Sequence, residues 1–259
     1  MRTIDINCDM GEGFGVYKLG DDEAMMSIVT SANIACGFHA GDPLVMHRTL
    51  AAAAANGVNA GAHPSFLDLW GFGRRRILDE SPEDIAKQIT YQIGALGALA
   101  ASQGIKLAHV KTHGSLGNMA AEDPALAAAI TRAIAALDSN LSFIVMPAMA
   151  TEKAAINAGV KPIREIYADR AYADTGNLLS RKLAGAVIHD PDLAADRVLR
   201  MIEAEAVICE SGKRIPGRID SVCVHGDSPD AVSMAGRLRE RLEQAGYTVA
   251  PPSKVDKSS

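Results

Sequence analysis

The chain has 259 residues, of which 26 are basic and 31 acidic, so its formal net charge is -5. This charge gives no electrostatic case for binding nucleic acid or an anionic membrane surface. The apolar fraction of 48% is ordinary for a globular protein with a sizeable core, and the length is one at which an α/β barrel forms a single domain.

The N-terminal stretch "MRTIDINCDMGEGFG" soon becomes acidic and glycine-rich, so it lacks the apolar centre of a secretory signal. No apolar run approaches the ~18 residues that span a bilayer. The cysteines have no C-x-x-C spacing, which favours reduced, buried side chains over a zinc site or a disulfide framework. They are Cys8, Cys36, Cys209 and Cys223. These features predict a cytoplasmic protein.

Strand-like and helical stretches alternate along the chain. Strands are predicted at 3–8, 32–36, 58–62, 107–111, 141–146, 163–168 and 219–224. Helices are predicted at 43–56, 82–103, 123–137, 149–158, 191–205 and 229–245. This alternation is typical of a parallel sheet with helical crossovers. We expect one domain over residues 1–250 and a frayed tail over 251–259.

Helix starts are marked by an oxygen-bearing residue followed by proline, which caps a free amide and presets the first helical φ. The pattern occurs at Asp42-Pro43, Ser81-Pro82, Asp123-Pro124, Asp190-Pro191 and Ser228-Pro229. An open doubly wound sheet and a closed barrel both fit the alternation. Polar residues recur at the carboxyl end of nearly every strand rather than at one crevice, which favours the barrel.

These strand-end residues are the candidate site. They are Asn7, Asp9 and Glu12; His39 and Asp42; His63; Lys111 and His113; Asp169 and Arg170; and His225 and Asp227. Four of the seven histidines are among them, each followed within two residues by glycine or proline. The pattern predicts polar side chains converging at one end of the sheet. The other histidines, His47, His109 and His189, are interpreted as structural.

Two kinds of chemistry fit such residues. Neutral imidazoles with a carboxylate are the usual ligands of a catalytic divalent metal. The same groups without metal serve as general acid, general base and carbonyl clamp. No H-E-x-x-H pair is present, so a metal site would have to be assembled by the fold, and its metal stays open.

The run "GFGRRR", residues 71–76, is either a solvated turn or an anion clamp, which makes Arg75 a candidate for binding a carboxylate or phosphate. Two other signals are missing. The sequence contains no G-x-x-x-x-G-K-[ST] phosphate loop and no G-x-S-x-G nucleophile elbow.

Six segments in order resemble the LamB/YcsF family. They are "DINCDMGEGFG", "ANIACGFHAGDP", "GAHPSF…GFGRR", "VKTHGSLGN", "EIYADRAYADTGNLLSR…GAVI" and "VCVHGDSP", and they extend from residue 3 to about 235. The resemblance implies a distorted seven-stranded (β/α) barrel of the glycoside hydrolase/deacetylase type. It also implies ATP-dependent opening of 5-oxo-L-proline (pyroglutamate) to L-glutamate, performed with two partner subunits, B and C. ATP would then be a co-substrate, handled at a site that the partners supply or help to build.

From this resemblance we expect two sets of site residues. The catalytic set is Asp9, His39, His63, His113 and Asp169, and the substrate-binding set is Asn7, Glu12, Arg75, Lys111, Arg170 and His225. Asp9 and one of the three histidines would activate water and protonate the ring nitrogen. Lys111 and Arg170 would hold the substrate carboxylate or phosphoryl charge, oriented by Asp169. The alternatives are a stand-alone metal-dependent deacetylase or amidohydrolase, and a non-catalytic lactam-binding subunit.

The sequence departs from the family pattern at a few positions. Thr112, Ser115 and Gly117 replace a proline, an alanine and a tyrosine, while Leu67 and Ser180 stand where proline is common. We expect these changes to alter the shape of the fourth rim loop, and with it the choice of substrate or the fit of a partner.

Overall fold

The computed structural model describes residues 2–226 and 230–252, and these contain ten strands. They are β1 (Arg2–Met10), β2 (Ser31–Ala35), β3 (Asn59–His63), β4 (His109–Lys111), β5 (Ser142–Val145), β6 (Pro162–Tyr167), β7 (Ala206–Ile208), β8 (Arg214–Pro216), β9 (Ser221–Val224) and β10 (Tyr247–Val249). Strands β1 to β6 and β9 are parallel, each pairs with the next, and β9 pairs back with β1. The predicted seven-stranded barrel is confirmed.

Eight helices lie within the same described ranges. They are α1 (Asp22–Met26), α2 (Pro43–Ala55), α3 (Pro82–Ala101), α4 (Gly114–Glu122), α5 (Pro124–Leu137), α6 (Ala150–Asn157), α7 (Pro191–Glu203) and α8 (Ala231–Gln244). The residue before the proline caps α2, α3, α5 and α7 through its side chain, as predicted. The cap expected at Ser228-Pro229 lies outside the described residues.

Four features were not predicted. The first is the short helix α1 in the loop after β1. Helix α4 fills the segment interpreted as the fourth rim loop, and its two glycines, Gly114 and Gly117, obscure its helical pattern. Strands β7 and β8 form an antiparallel hairpin outside the barrel. Strand β10 pairs with the start of β1, and Ala250 donates to the Ile4 carbonyl beyond it. Of the predicted tail, residues 253–259 lie outside the described residues, so its fraying stays a prediction.

The barrel wall separates an apolar layer from a polar interior. In β1, Ile4, Ile6 and the alternate residues after them belong to the hydrophobic core beneath the helices. Asp5, Asn7 and Asp9 alternate with them and make hydrogen bonds to other barrel strands. The polar side chains are therefore held inside the barrel, where the carboxyl ends of the strands form one rim.

The barrel centre has room for an imidazole only because the facing residue is glycine. A Cβ at Gly61 would lie 2.2 Å from the ring of His109. His109 Nε2 lies 2.8 Å from Asn33 Oδ1, and burial lowers the pKa of His109 to about 3. His109 is thus a neutral imidazole in the barrel floor. No helix within the described part of the chain is long and apolar enough to cross a membrane.

Candidate active site

A cavity of about 510 Å³ opens at the carboxyl ends of the barrel strands. Six of the predicted residues line it, namely Asp9, His63, Lys111, His113, Arg170 and His225. The cavity also contacts Glu165, Tyr167, Arg74, Arg76, Arg181 and Lys182, which the sequence argument did not select. Polar and charged side chains from β1, β3, β4, β6 and β9 therefore converge, as expected for a barrel site.

Lys111 lies at the centre of a buried charge network, which we call the lysine cluster: Asn7, Asp9, Lys111 and Glu165. Lys111 Nζ is 3.0 Å from Asp9 Oδ1, 3.1 Å from Glu165 Oε2 and 3.2 Å from Asn7 Oδ1. It also lies 3.0 Å from Cys223 Sγ. The ammonium protons are fully used inside the protein, so Lys111 is a counter-ion for two carboxylates rather than an arm extended toward a ligand.

The charges of the lysine cluster stabilise one another. Burial opposes ionisation of Asp9, but His63 and Lys111 beside it hold the pKa of its carboxyl well below the usual value. Burial likewise opposes the charge on Lys111, but Asp9, Cys223 and Glu165 raise its pKa above the usual value. Asp9 is therefore a carboxylate and Lys111 an ammonium across the physiological pH range.

A second group, the histidine cluster, comprises Glu12, His39, His63 and His113, all buried. Glu12 Oε1 lies 3.2 Å from His39 Nε2 and 3.4 Å from His113 Nδ1. The rings of His39 and His113 are stacked, with centroids 3.7 Å apart. Burial first, and neighbouring imidazoles second, lower the pKa of both these histidines well below the usual value. Both are neutral at pH 7.

The histidine cluster depends on a glycine in the loop that follows β3. Gly73 has a φ of +63°, and a Cβ there would lie 2.8 Å from the His113 ring and 2.9 Å from His39 Cβ. Any side chain at position 73 would clash with these two residues, so only glycine lets the backbone pass this close to the two rings.

His225 and Asp169 form a third pair at the cavity wall. His225 Nδ1 lies 2.8 and 2.9 Å from the two carboxylate oxygens of Asp169, and its ring stacks on that of Tyr167. Burial opposes ionisation of Asp169, but His225, Arg181 and Arg170 lower the pKa of its carboxyl. With Nδ1 bound to Asp169, the other ring nitrogen of His225 is left for the cavity.

The predicted arginines have different positions. Arg170 lines the cavity, and its guanidinium donates to the carbonyls of Ala186 and Leu179, which fixes the loop after β6. Arg75 lies outside the cavity: its guanidinium is ion-paired with Asp68 and its side chain is 62% exposed. Its neighbours in the "GFGRRR" run, Arg74 and Arg76, line the cavity instead.

The remaining predicted residues lie just behind the cavity wall. Asn7 is fully buried and bridges Glu165 and Ser221 through its amide nitrogen. Glu12 and His39 are the rear half of the histidine cluster, and Asp169 lies behind His225. Asp42 is used elsewhere, as the N-cap of α2. Asp227 lies outside the described residues.

Sequence reasoning missed Glu165 and Tyr167, although a signal was present. In "IREIYA" these two polar residues alternate with buried apolar ones, as inward-facing strand residues do. Both residues belong to the strand itself, whereas the candidate residues were expected at or beyond the strand ends. The same alternation marks Asp5, Asn7 and Asp9 in β1.

The residues that depart from the family pattern mostly lie at the cavity. Thr112, Ser115, Gly117 and Ser180 line it, whereas Leu67 is 63% exposed. A Cβ at Gly117 would lie 2.8 Å from the Thr112 carbonyl oxygen. A side chain at position 117 therefore requires a different backbone in the first turn of α4.

Known proteins match this chain over nearly its whole length. The sequence profile of the LamB/YcsF family matches residues 4–257. The A subunit of a 5-oxoprolinase from Rhodopseudomonas palustris is 54% identical over 248 residues, which cover 96% of this chain and 98% of that protein. The A subunit of the 5-oxoprolinase from Gluconobacter oxydans is 48% identical over 96% of this chain and 97% of its own length.

Solved structures agree with the fold. A lactam utilization protein from Thermus thermophilus is similar with a TM-score of 0.88 and 41% identity, covering 96% of this chain and 99% of that one. The catalytic domain of a peptidoglycan N-acetylglucosamine deacetylase from Eubacterium rectale is similar with a TM-score of 0.52 over all of this chain and 90% of that one. At 10% identity, the second likeness concerns the fold alone. The barrel is of the deacetylase type, as the resemblance implied.

Proposed function

The chain belongs to the LamB/YcsF family, and from that premise we propose that it is one subunit of an ATP-dependent 5-oxoprolinase, which opens 5-oxo-L-proline to L-glutamate. The observation that carries the proposal is the match to the A subunits of 5-oxoprolinases, about half of whose residues are identical along nearly the whole chain. The cavity supports it, since carboxylates, imidazoles and guanidinium groups surround a space large enough for a small lactam.

The reaction needs activation because an amide carbonyl is resonance-stabilised and poorly electrophilic. Transfer of the γ-phosphoryl group of ATP to the lactam oxygen would release ADP and leave a phosphorylated imidate. Water then adds to the former carbonyl carbon, the carbon–nitrogen bond breaks, and the nitrogen takes a proton, which gives an acyl phosphate of glutamate. A second water releases phosphate and glutamate. Two waters and one ATP are consumed for each ring opened.

Asp9 and the His225–Asp169 pair are the acid–base groups that we assign to this sequence. Asp9 is an ionised carboxylate at the cavity wall, placed to accept a hydrogen bond from the attacking water. His225, oriented by Asp169, is placed to give the proton to the ring nitrogen. This assignment gives the acid role to His225 rather than to the histidine cluster, in which His63 Nε2 and His113 Nδ1 face each other at 2.9 Å and Glu12 lies beside His39.

The anionic groups of the substrates would be held by guanidinium groups. Arg170 and Arg181 line the cavity from the loop after β6, while Arg74 and Arg76 line it from the loop after β3. Guanidinium is the side-chain group best suited to bidentate binding of carboxylate or phosphoryl oxygens. Lys111, expected in this role from the sequence, is instead assigned as the ammonium that pairs with Asp9 and Glu165.

Partner subunits B and C complete the proposal, since the sequence lacks a phosphate loop for ATP. Large apolar side chains are exposed on the loops after β1 and β3, at the same end of the barrel as the cavity. Val16 is 90% exposed and Trp70 97% exposed. Apolar surface of this kind marks candidate protein contacts. A cytoplasmic location, where ATP is available, stays a prediction.

The test is glutamate release from 5-oxoproline and ATP, using the chain alone and then together with the two partner subunits. We expect release only from the mixture. In that mixture, His225→Gln should lower kcat by about 10²- to 10⁴-fold, the usual contribution of general acid–base catalysis, with the fold unchanged by circular dichroism. The matched control is His47→Gln, which changes a histidine that is exposed on the surface. Full activity of His225→Gln would remove that residue from the mechanism.

Hydrolysis of an amide by this chain alone is the second candidate function, and the histidine cluster is the observation that favours it. Three imidazoles with a carboxylate are a ligand set found in metal-dependent hydrolases. Release of product from a cyclic or N-acetyl amide without ATP and without partner subunits would establish this alternative in place of the first.

A further inference from the structure

The histidine cluster has an unusual hydrogen-bond arrangement. His63 Nδ1 lies 2.7 Å from the Lys111 carbonyl oxygen, and His113 Nε2 lies 2.9 Å from the Phe72 carbonyl oxygen. A carbonyl oxygen only accepts, so each of these nitrogens carries the ring proton. The other two nitrogens, His63 Nε2 and His113 Nδ1, then bear lone pairs, and they face each other at 2.9 Å.

Two lone pairs at hydrogen-bond distance repel unless a cation lies between them. A shared proton would make one of the two rings an imidazolium inside a buried cluster, with the Asp9 carboxylate 3.3 Å from His63 Nε2. A metal ion removes the repulsion without protonating either ring. Metal-binding histidines almost always donate the second ring N–H to a carbonyl or carboxylate, and both rings already do so.

We propose that Glu12 Oε1, His63 Nε2 and His113 Nδ1 bind one divalent transition-metal ion, of the zinc class. The donor pairs His63–His113 and His113–Glu12 are 2.9 and 3.4 Å apart, and all donors of the cluster lie within 4.8 Å of one another. Tetrahedral zinc with bonds of about 2.0–2.1 Å places its ligand atoms about 3.3 Å apart. Two imidazoles and one carboxylate leave a fourth position for water or substrate, as in catalytic zinc sites.

His39 is a positioning residue in this site. Its ring is stacked on His113 with an angle of 10° between the planes, so the in-plane lone pairs of the two rings cannot both point at one ion. Its Nε2 lies 3.2 Å from Glu12 Oε1 and orients that carboxylate. His39 Nδ1 is one of the few buried side-chain nitrogens or oxygens without a hydrogen-bond partner in the described part of the chain.

The other cluster of ligating groups, Asp9, Cys223 and His225, is less suited to a metal. Its sulfur is 3.0 Å from the ammonium of Lys111, and that ammonium also holds Asp9. The Nδ1 of His225 is bound to Asp169. Two groups of that cluster, Asp9 and Cys223, therefore already contact the Lys111 ammonium, whereas in the histidine cluster two imidazole nitrogens face each other with no ammonium between them.

The metal proposal is independent of the ATP-coupled activity, because binding is measured on this chain alone. Protein stripped with a chelator is titrated with Zn²⁺ by calorimetry. We expect about one tight equivalent and no binding of Mg²⁺, which prefers oxygen ligands. Binding should be undetectable in His63→Gln and His113→Gln, and weakened by about 10- to 100-fold in His39→Gln, the usual cost of losing a partner that orients a ligand.

Two matched controls separate this site from others. His47→Gln removes an exposed histidine, and His225→Gln removes a member of the competing cluster, so both should bind Zn²⁺ as the parent does. Glu12→Gln preserves shape and hydrogen bonding while removing charge, so it tests the ligand set even if a histidine variant fails to fold. Unchanged binding in Glu12→Gln together with His113→Gln would overturn the proposal.

X-ray absorption of the zinc-loaded parent protein tests the ligands without any substitution. We expect nitrogen and oxygen neighbours at about 2.0–2.1 Å and no sulfur. The spectrum of His39→Gln should be the same, since His39 positions Glu12 rather than the ion. Sulfur at about 2.3 Å would place the ion at Cys223 instead. Failure to bind any Zn²⁺ would mean that a proton bridges the two rings, with His63 held as an imidazolium by Asp9 3.3 Å away.

Discussion

The lysine cluster and the histidine cluster meet at Asp9, whose carboxylate lies 3.0 Å from Lys111 Nζ and 3.3 Å from His63 Nε2, and their hydrogen bonding differs. In the lysine cluster, every proton of the Lys111 ammonium is directed at an acceptor of opposite or partial negative charge. In the histidine cluster, two imidazole nitrogens face each other at 2.9 Å. The comparison teaches that buried polar groups are arranged in two ways here: one cluster pairs opposite charges within the chain, and the other brings together groups that we propose bind a metal ion.

Removing Lys111 should have the largest effect on stability. Lys111→Met leaves Asp9 and Glu165 as unpaired buried carboxylates, and breaking a buried ion pair in this way typically costs about 3–5 kcal/mol. The measurement is the free energy of unfolding from urea titration. Lys87→Met is the control, because its ion pair with Asp84 is exposed and should contribute little to the free energy of unfolding.

If Lys111→Met and Lys87→Met lowered the free energy of unfolding by the same small amount, the lysine cluster would not be the complete internal network described here. The triple variant that also changes both carboxylates to amides separates the two parts of the effect. It should recover much of the lost stability, since no unpaired charge is left in the interior.

Asp5 belongs to the same polar interior, and we expect it to make the free energy of unfolding depend on pH. Burial raises the pKa of its carboxyl from 3.8 to about 6, although hydroxyls of Ser221, Thr30 and Ser31 bond to it. Because the folded-state pKa lies above the unfolded value, the contribution of Asp5 to stability is greatest below pH 4 and falls as the pH rises to about 6, by roughly 3 kcal/mol for a shift of this size.

Asp5→Asn should remove that decline. The difference in unfolding free energy between variant and parent should therefore grow in favour of the variant from pH 4 to pH 6.5, measured by urea titration at several pH values. Asp84→Asn is the control, and its pH dependence should have the opposite sign, because hydrogen bonds from Lys87 and Ser81 lower the pKa of that exposed carboxyl. A constant difference for Asp5→Asn would show that Asp5 titrates normally.

Gly61→Ala, in the barrel floor beneath both clusters, should lower the free energy of unfolding by a smaller amount. The new Cβ would lie 2.2 Å from the His109 ring, and overpacking of this kind costs about 1–3 kcal/mol. His109→Ala in the same chain should restore part of the loss by making room. Gly94→Ala in α3 meets no atom within 4 Å and should be neutral or stabilising by up to about 1 kcal/mol. Equal stability of the two glycine variants would contradict the packing described for His109.

Much of the architecture was predictable because the sequence marks it locally. The proline caps of α2, α3, α5 and α7 are visible as dipeptides, and the seven barrel strands are short apolar runs between them. Helix α4 was not visible, since glycines at its first and fourth positions lower helix propensity and only packing against α5 and α6 supports it.

The site was predicted in outline but not in its connections. Strand-end position located Asp9, His63, His113 and His225 at one rim, because carboxyl ends of parallel strands meet there. The partner of each residue depends on barrel closure, which brings Glu165 of β6 to Lys111 of β4 across the interior. Arg75 and Arg76 are adjacent in sequence, yet only the second lines the cavity, and no local rule distinguishes them.

The sequence by itself determined the order of the seven barrel strands and of six helices, the polar residues at the rim and the family. These are local or pairwise properties of neighbouring residues. Only the tertiary structure decided that two carboxylates share one ammonium, that Gly61 makes room for His109, and that nitrogens of two imidazoles face each other. Those outcomes depend on atoms brought together by closing the barrel, over sequence separations at which a chain has no local preference to express.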